Sequence, residues 1–143
     1  MRYMLIMRAT PEAMEAAKEI PFEQILADMG RYNESLIKAG VLLAAEGLSP
    51  ADEGFVVDFD TDPPVATDGP YTETKELFNG FWILGVSSKE EAKQWALKCP
   101  LGPGTTLEVR RVTEAEDFPQ DDEWVQKELR WRDHLDAAKK QFD

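Results

Sequence analysis

Apolar and polar residues follow two patterns along this chain, one typical of strands and the other typical of helices. Residues 1–8 form a nearly continuous apolar run, which predicts a strand buried on both faces. Three further segments have the character of strands: 41–50, 79–86 and 105–112. Over 22–37 and 92–99, apolar residues recur at three- and four-residue spacing instead. Each of these two segments is therefore predicted to form a helix that buries one side.

The order of these segments predicts an α+β fold. A short helix that begins at Pro11 and the 22–37 helix follow the first strand. The order strand, helix, strand, strand, helix, strand is that of a ferredoxin-like βαββαβ domain, whose antiparallel sheet carries both helices on one face. Residues 55–60 alternate, and 65–67 are predicted to form an inserted short strand. Apolar residues on both sides of the strands predict that a second copy of the chain covers the other face.

The chain is predicted to divide towards its C-terminal end. Residues 1–113 form the ferredoxin-like domain, residues 114–123 an acidic linker, and residues 124–143 an appended amphipathic helix. The linker contains six acidic residues and no basic residue. One face of the predicted helix collects apolar residues, namely Trp124, Trp131, Leu135, Ala138 and Phe142.

Composition narrows the classes of function. Sixteen basic against 28 acidic residues give a net charge of −12, which disfavours general nucleic-acid binding because such a chain repels phosphate backbones. Cys99 is the single cysteine, so an intrachain disulfide is excluded and a cytoplasmic location is expected. The apolar run between Arg2 and Arg8 is too short for a signal peptide, and no stretch approaches membrane-spanning length.

The segment DGPYTETKE, residues 68–76, carries more chemistry than a connection between strands needs. Its first residues predict a sharp turn, because Asp68 accepts hydrogen bonds from nearby amides and Gly69 permits positive φ. A glycine before proline is driven to an extended conformation, so the segment is predicted to leave the turn stretched.

An extended segment after this turn would point its side chains alternately to two sides. Tyr71, Glu73 and Lys75 then share one side and offer a phenol, a carboxylate and an ammonium within about 13 Å, while Thr72 points to the other. This set could orient a small polar ligand or carry out acid–base chemistry. The alternative is a structural clasp, in which Glu73 and Lys75 pair with each other or across strands.

Two further residues join the candidates. Glu46 ends an otherwise apolar strand, where a buried carboxylate would act as a base. The rival interpretation is a strand-end Glu46 paired with Arg110 or Arg111. Tyr32 and Asn33 lie on or beside the apolar stripe of the 22–37 helix, and the polar tip of one of them is predicted to face inward. The candidates are therefore Asp68, Glu73, Lys75 and Glu46 for catalysis, and Tyr71, Tyr32 and Thr72 for ligand binding.

Other chemistry is not indicated by the sequence. No cluster of His and Cys has zinc spacing and no glycine-rich loop precedes a lysine, so neither a metal nor a cofactor is predicted. The single histidine, His134, falls in the appended helix and is predicted to be exposed there. Cys99 falls on the apolar stripe of the 92–99 helix and is predicted to belong to the core.

The motif and its flanks resemble a known family. DGPYTETKE followed by FNGFWILGV is similar to the signature of the DGPF family, often written DGPFAETKE, a branch of the YciI-related proteins. RYMLIM, AGVLLAAEGL and EVRRV support the resemblance, which covers about residues 1–113. It implies a dimeric ferredoxin-like α/β-barrel. Some YciI-type relatives carry a His/Asp pair at a proposed active site, whereas residues 1–113 of this chain contain no histidine.

The resemblance implies function only in outline. DGPF proteins are often encoded beside extracytoplasmic-function sigma factors. This implies a small-molecule-binding or accessory protein linked to stress regulation, with a sigma factor as a candidate partner. The alternative is a cofactor-independent enzyme that uses the motif carboxylates for acid–base chemistry on a small polar substrate. A third interpretation is a structural dimerisation module.

Overall fold

A computed structural model describes residues 1–69 and 76–139 of the chain. The chain divides into two compact units, Met1–Arg111 and Val112–Asp143. Within its described residues, the first unit holds a four-stranded sheet, a two-stranded sheet and three helices. The second holds one helix, preceded by a short 3-10 turn.

The strands of the described residues are β1 (Arg2–Ala9), β2 (Leu42–Gly47), β3 (Phe55–Asp58), β4 (Val65–Asp68), β5 (Leu77–Gly85) and β6 (Thr105–Arg111). Four of them form one antiparallel sheet in the order β2-β5-β1-β6. With β3 and β4 set aside, this is the strand order of a ferredoxin-like domain. The prediction of an α+β fold with an antiparallel sheet is therefore confirmed.

The helices are α1 (Pro11–Ala17), α2 (Phe22–Lys38), α3 (Lys89–Leu97) and α4 (Glu123–Lys139). The first begins at a proline, and the Thr10 hydroxyl accepts a hydrogen bond from the Ala13 amide at 3.1 Å. The second ends just before Gly40, whose φ of 72° is the left-handed conformation that closes a helix. Local sequence signals thus determine where these helices begin and end.

The start of α3 differs in one hydrogen bond from a simple capping box. The Ser88 hydroxyl accepts a hydrogen bond from the Glu91 amide at 3.1 Å. The Glu91 carboxylate, however, accepts from Ser87 rather than from Ser88, at 2.7 Å from the amide and 2.6 Å from the hydroxyl. These hydrogen bonds from Ser87 hold the pKa of Glu91 below its usual value.

The core lies between one face of the four-stranded sheet and helices α2 and α3. Its largest fully buried side chains are Leu5, Leu36 and Leu84. The Tyr32 and Trp82 rings meet in a T-shaped arrangement at a centroid distance of 5.7 Å and an angle of 84°. The Trp82 indole donates to the Asn33 Oδ1 at 2.8 Å, so the polar atom of this large ring is satisfied where it is buried.

Only some of the apolar residues in the stripe of α2 are buried. Tyr32 and Leu36 are buried, whereas three large apolar residues of the predicted stripe, Phe22, Leu26 and Ile37, are exposed. The expectation that the whole stripe packs inward is wrong within this chain. A helix that crosses a sheet touches it along only part of its length, and the sequence pattern does not record where that part ends.

The insertion before β5 is a hairpin of two short strands. β3 and β4 pair only with each other among the described strands, with Phe55 opposite Asp68 and Asp58 opposite Val65. All eight residues of these two strands are exposed, including Phe55 at 67%. β3 lies in the alternating segment 55–60 and β4 contains the predicted short strand 65–67, but their pairing was not predicted, because alternation in a sequence does not reveal which sheet a strand joins.

The second unit has its own local contacts. In the segment predicted as an acidic linker, residues Ala115–Asp117 form a 3-10 turn. On α4, the Trp124 and Trp131 rings lie 6.4 Å apart, and the Lys127 ammonium lies 4.2 Å from the centre of the Trp124 ring. His134 is exposed on the same helix. None of the helices in the described part of the chain is long and apolar enough to cross a membrane.

Truncation of a core residue of α2 tests where this helix is buried. Leu36 is 0% exposed, so Leu36→Ala leaves a cavity and is expected to lower the free energy of unfolding by about 2–5 kcal/mol. The neighbouring Ile37 is 63% exposed, and Ile37→Ala should cost less than about 1 kcal/mol. Urea unfolding of both variants measures the difference. Equal losses would contradict the burial described above.

The Ser87–Glu91 contact makes stability depend on pH in a defined direction. Because the pKa of Glu91 is lower in the folded chain, its contribution is present above the unfolded pKa and is lost as pH falls through the folded pKa. Glu91→Gln should therefore lower the melting temperature at about pH 6, and this difference should shrink below about pH 4. Glu90→Gln, one residue earlier on α3, is the control and should show no such trend.

Candidate functional site

A cavity of about 470 Å³ lies where the β3–β4 hairpin meets the four-stranded sheet, within the size range of ligand pockets. Its wall combines the segment after β2, the 3-10 turn Ala51–Glu53, the start of β3 and the start of β5. We call it the hairpin cavity. Its described lining residues are Leu48, Ser49, Pro50, Ala51, Gly54, Phe55, Val56, Gly69, Leu77 and Phe78.

The start of the DGPYTETKE motif is fixed against this cavity by backbone contacts. The Gly69 amide donates to the Gly54 carbonyl at 3.0 Å, which closes the base of the hairpin. A Cβ atom added at Gly69 would lie 2.9 Å from the Ala51 carbonyl oxygen, closer than real Cβ atoms approach. Gly69 is therefore required here for close packing of the backbone.

The chain returns to the same cavity after the motif. Leu77 and Phe78, the first residues of β5, belong to its lining, and the Phe78 ring lies 6.4 Å from that of Phe81. The Leu48 amide donates to the Asn79 carbonyl at 2.8 Å, which holds the segment after β2 beside β5. Residues on both sides of the motif therefore line one cavity.

Four predicted site residues fall in the motif between these two points. Tyr71, Thr72, Glu73 and Lys75 lie outside the residues that the structure describes. Their predicted alternation and their roles stay predictions.

Asp68 and Glu46 do not line the hairpin cavity. Asp68 is the last residue of β4, exposed and directly before the lining residue Gly69. Glu46 is exposed near the end of β2, opposite Phe81 of β5, rather than buried as a strand-end base would be. The structure thus places the two carboxylates on different sheets and does not bring them together in this cavity.

The strand order also excludes the alternative partner of Glu46. Arg110 and Arg111 belong to β6, and β2 and β6 are the two outer strands of the sheet. Three inter-strand spacings separate them, or about 14 Å. The expected pairing of Glu46 with either arginine is wrong within one chain, because that expectation was made without the strand order.

Tyr32 lies in the core rather than at the hairpin cavity. It is buried, and its hydroxyl donates to the Trp95 carbonyl at 2.9 Å, so the polar tip faces inward as predicted. Burial, and then the neighbouring Cys99, raise the pKa of Tyr32. Burial likewise raises the pKa of the Cys99 thiol to about 12, which suits a core residue and not a nucleophile.

The described side chains that line the cavity are mainly apolar. Ser49 supplies its one polar side chain, and no titratable side chain belongs to the described lining. Sequence reasoning identified the motif but missed the apolar wall, including Leu48 and Phe78. The available signal was a set of large apolar residues flanking turn-rich segments on both sides of the motif. Among the described residues, no group of three or more His, Cys, Asp or Glu residues could hold a metal ion.

The chain is similar in sequence to a bacterial protein and in structure to a solved enzyme. An uncharacterized protein of Rhizobium meliloti (strain 1021) is 27% identical over 74 residues, or 52% of this chain. The matched segment spans 60% of that relative's length.

The chain is also similar to the solved structure of 5-chloro-2-hydroxyhydroquinone dehydrochlorinase (TftG) from Burkholderia phenoliruptrix AC1100, in complex with 2,5-dihydroxybenzoquinone. The TM-score is 0.45 and the identity 14%, over 83% of this chain and 100% of that one. A similarity this low carries no inference about the reaction of the present chain.

A family model matches a longer part of the chain than the sequence relative does. The model of the YCII-related domain matches residues 1–116, which include the four-stranded sheet, helices α1 to α3 and the hairpin cavity. This chain belongs to the YCII-related family.

Proposed function

We propose that the protein binds a small molecule in the hairpin cavity, with the DGPYTETKE motif supplying the polar contacts. The observation that carries this proposal is that Gly69 and Leu77, on either side of the motif's undescribed residues, line the same cavity. A chain segment tied to a cavity at both of its ends is well placed to recognise what the cavity holds.

The lining determines the class of ligand. Phe55, Phe78 and Leu48 offer aromatic and aliphatic contacts, which suit an apolar ring or a short alkyl body. The motif adds a carboxylate at Glu73 and an ammonium at Lys75. We therefore propose a ligand with an apolar body and one polar or charged substituent, oriented by Tyr71 and the two charged groups.

Binding is favoured over acid–base catalysis by the same lining. The described wall holds no titratable side chain, and Asp68 and Glu46 lie outside it. A catalytic role for Glu73 and Lys75, with Asp68 beside the cavity, is the alternative proposal. It requires proton transfer by groups within hydrogen-bond reach of the substrate.

We further propose that the protein is a homodimer through the sheet face that lies opposite the helices. Cross-strand pairing places Met4 beside Ile83 and Ile6 beside Phe81, and none of these four side chains belongs to the helix-side core. We call these four residues the second face. An apolar sheet face of this kind is stabilised when another chain covers it.

Ligand binding is tested first by variants of the described wall. A screen of small aromatic and alicyclic carboxylic acids by thermal shift is expected to yield binders. Phe55→Ala should weaken them by about tenfold or more, because the contact between the ring and the ligand is lost. Val57→Ala is the matched control, since Val57 lies on the same strand outside the cavity lining. Equal effects of both changes would place the ligand elsewhere.

The motif is tested separately. Glu73→Gln and Lys75→Met are expected to abolish the ligand-induced melting shift while the melting temperature without ligand changes by only a few degrees, because the backbone hydrogen bond that closes the base of the hairpin is left intact. If both variants bind as tightly as the unchanged protein, the motif is a structural clasp and the proposal fails. Turnover of a bound acid that Asp68→Asn abolishes at unchanged stability would favour the enzymatic alternative.

The dimer is tested by charging the second face. Light scattering is expected to give about twice the chain mass of 16.2 kDa for the unchanged protein. Ile83→Lys should shift this to the monomer mass, because a buried ammonium at an apolar interface is strongly unfavourable. Ile37→Lys, on the exposed side of α2, should leave the dimer intact. A monomeric unchanged protein would refute the proposal.

Association with a sigma factor rests on the family resemblance alone and stays a prediction. Co-elution of the purified chain with an extracytoplasmic-function sigma factor from the same organism would support an accessory role. Separate elution at micromolar concentrations of both proteins would argue against it.

A further inference from the structure

A second cavity, of about 460 Å³, lies between α3 and the sheet and shares no lining residue with the hairpin cavity. Tyr3 of β1 and Leu107 and Val109 of β6 line its sheet side. Ala96 and Leu97 of α3 line its helix side, and Leu97 is 77% exposed. We call it the α3 groove. Its walls are largely apolar, so it suits the apolar body of a small molecule.

The Tyr3 hydroxyl is an unused polar group in this groove. Tyr3 is only 6% exposed, yet no group among the described residues forms a hydrogen bond with its hydroxyl. No described side-chain N or O atom is both fully buried and unpartnered, so the Tyr3 hydroxyl keeps some accessible surface, and Tyr3 lines the groove. This hydroxyl is therefore available to form a hydrogen bond with a molecule held in the groove.

Two lysines of α3 give the groove a positive rim. Lys89 and Lys93 both line it, and their spacing of four residues places them on the same side of the helix. In the described part of the chain neither ammonium pairs with a carboxylate. The acidic residues of α3, Glu90 and Glu91, are not lining residues, and Glu91 is bonded to Ser87.

This arrangement is unfavourable for the chain by itself. Like charges four residues apart destabilise a helix, and the chain has 28 acidic residues that could have supplied a partner. An anion at the rim of the groove would relieve that repulsion and form charge-assisted hydrogen bonds with both ammonium groups.

We propose that the α3 groove binds an amphipathic anion, a small molecule with an alkyl body and a carboxylate head. The alkyl body packs between α3 and the two strands. The carboxylate lies at the rim, between the Lys89 and Lys93 ammonium groups, and the Tyr3 hydroxyl donates to an oxygen of the ligand. This is a second site, which works whether or not the hairpin cavity binds its own ligand.

Decanoate is the probe for the test, and decanol, which has the same alkyl body without the charge, is its control. Isothermal titration calorimetry on the full chain is expected to show decanoate binding at least about tenfold tighter than decanol, and weaker at higher salt. Lys89→Gln and Lys93→Gln should each weaken decanoate by about fivefold or more and leave decanol unchanged. Tyr3→Phe removes only the hydroxyl and should also weaken decanoate.

Lys98→Gln is the matched control on the same helix. Lys98 contacts the Trp95 ring at 4.8 Å and does not line the groove, so this change should alter decanoate binding by less than about twofold. Circular dichroism of each variant verifies the fold.

Three results would overturn the proposal. These are an unchanged protein that does not bind decanoate, equal losses in Lys93→Gln and Lys98→Gln, and loss of decanoate binding in Phe55→Ala. The last would place the ligand in the hairpin cavity and support that site instead.

Discussion

Strand β5 forms hydrogen bonds along both of its edges, and its side chains point alternately to the two faces of the sheet. The rest of the first unit depends on this constraint. It pairs with β1 on one side and β2 on the other. Trp82 and Leu84 face the helix-side core, and Phe81 and Ile83 face the opposite way. A register shift between Met7 and Arg8 of β1 separates the part of β5 that contains Trp82 from its first residues. Those first residues, Leu77 and Phe78, bring the chain to the hairpin cavity directly after the motif.

The elements of this fold could be predicted from the sequence because their signals are local. A cap such as Thr10 and a C-terminal glycine such as Gly40 act within one turn of the helix that they limit. The pairing of β3 with β4 could not be predicted, since two short exposed strands carry no record of the sheet that they join. The proposed pairing of Glu46 with Arg110 failed for a related reason, because it depends on strand order.

The same distinction between local signals and long-range contacts applies to the candidate site. The motif could be located because its residue types are unusual over nine consecutive positions. The cavity beside it could not, since Leu48, Phe55 and Phe78 come from three separate segments that meet only in the folded chain. The Tyr3 hydroxyl is a similar case. Nothing in an apolar strand sequence shows that one of its core residues keeps an unpartnered polar atom, and only the packing of α3 against β6 reveals it.

Because Gly69 and Gly54 are joined by a hydrogen bond, the length of the hairpin does not affect the place where the motif begins. The two glycines close the base of the hairpin, so whatever happens at its tip is contained between them. Residues 59–64, which join β3 to β4, can be lengthened or shortened without changing where Gly69 lies against Ala51. A change at the tip of the hairpin can therefore add new contacts there while Gly69 keeps its position at the base.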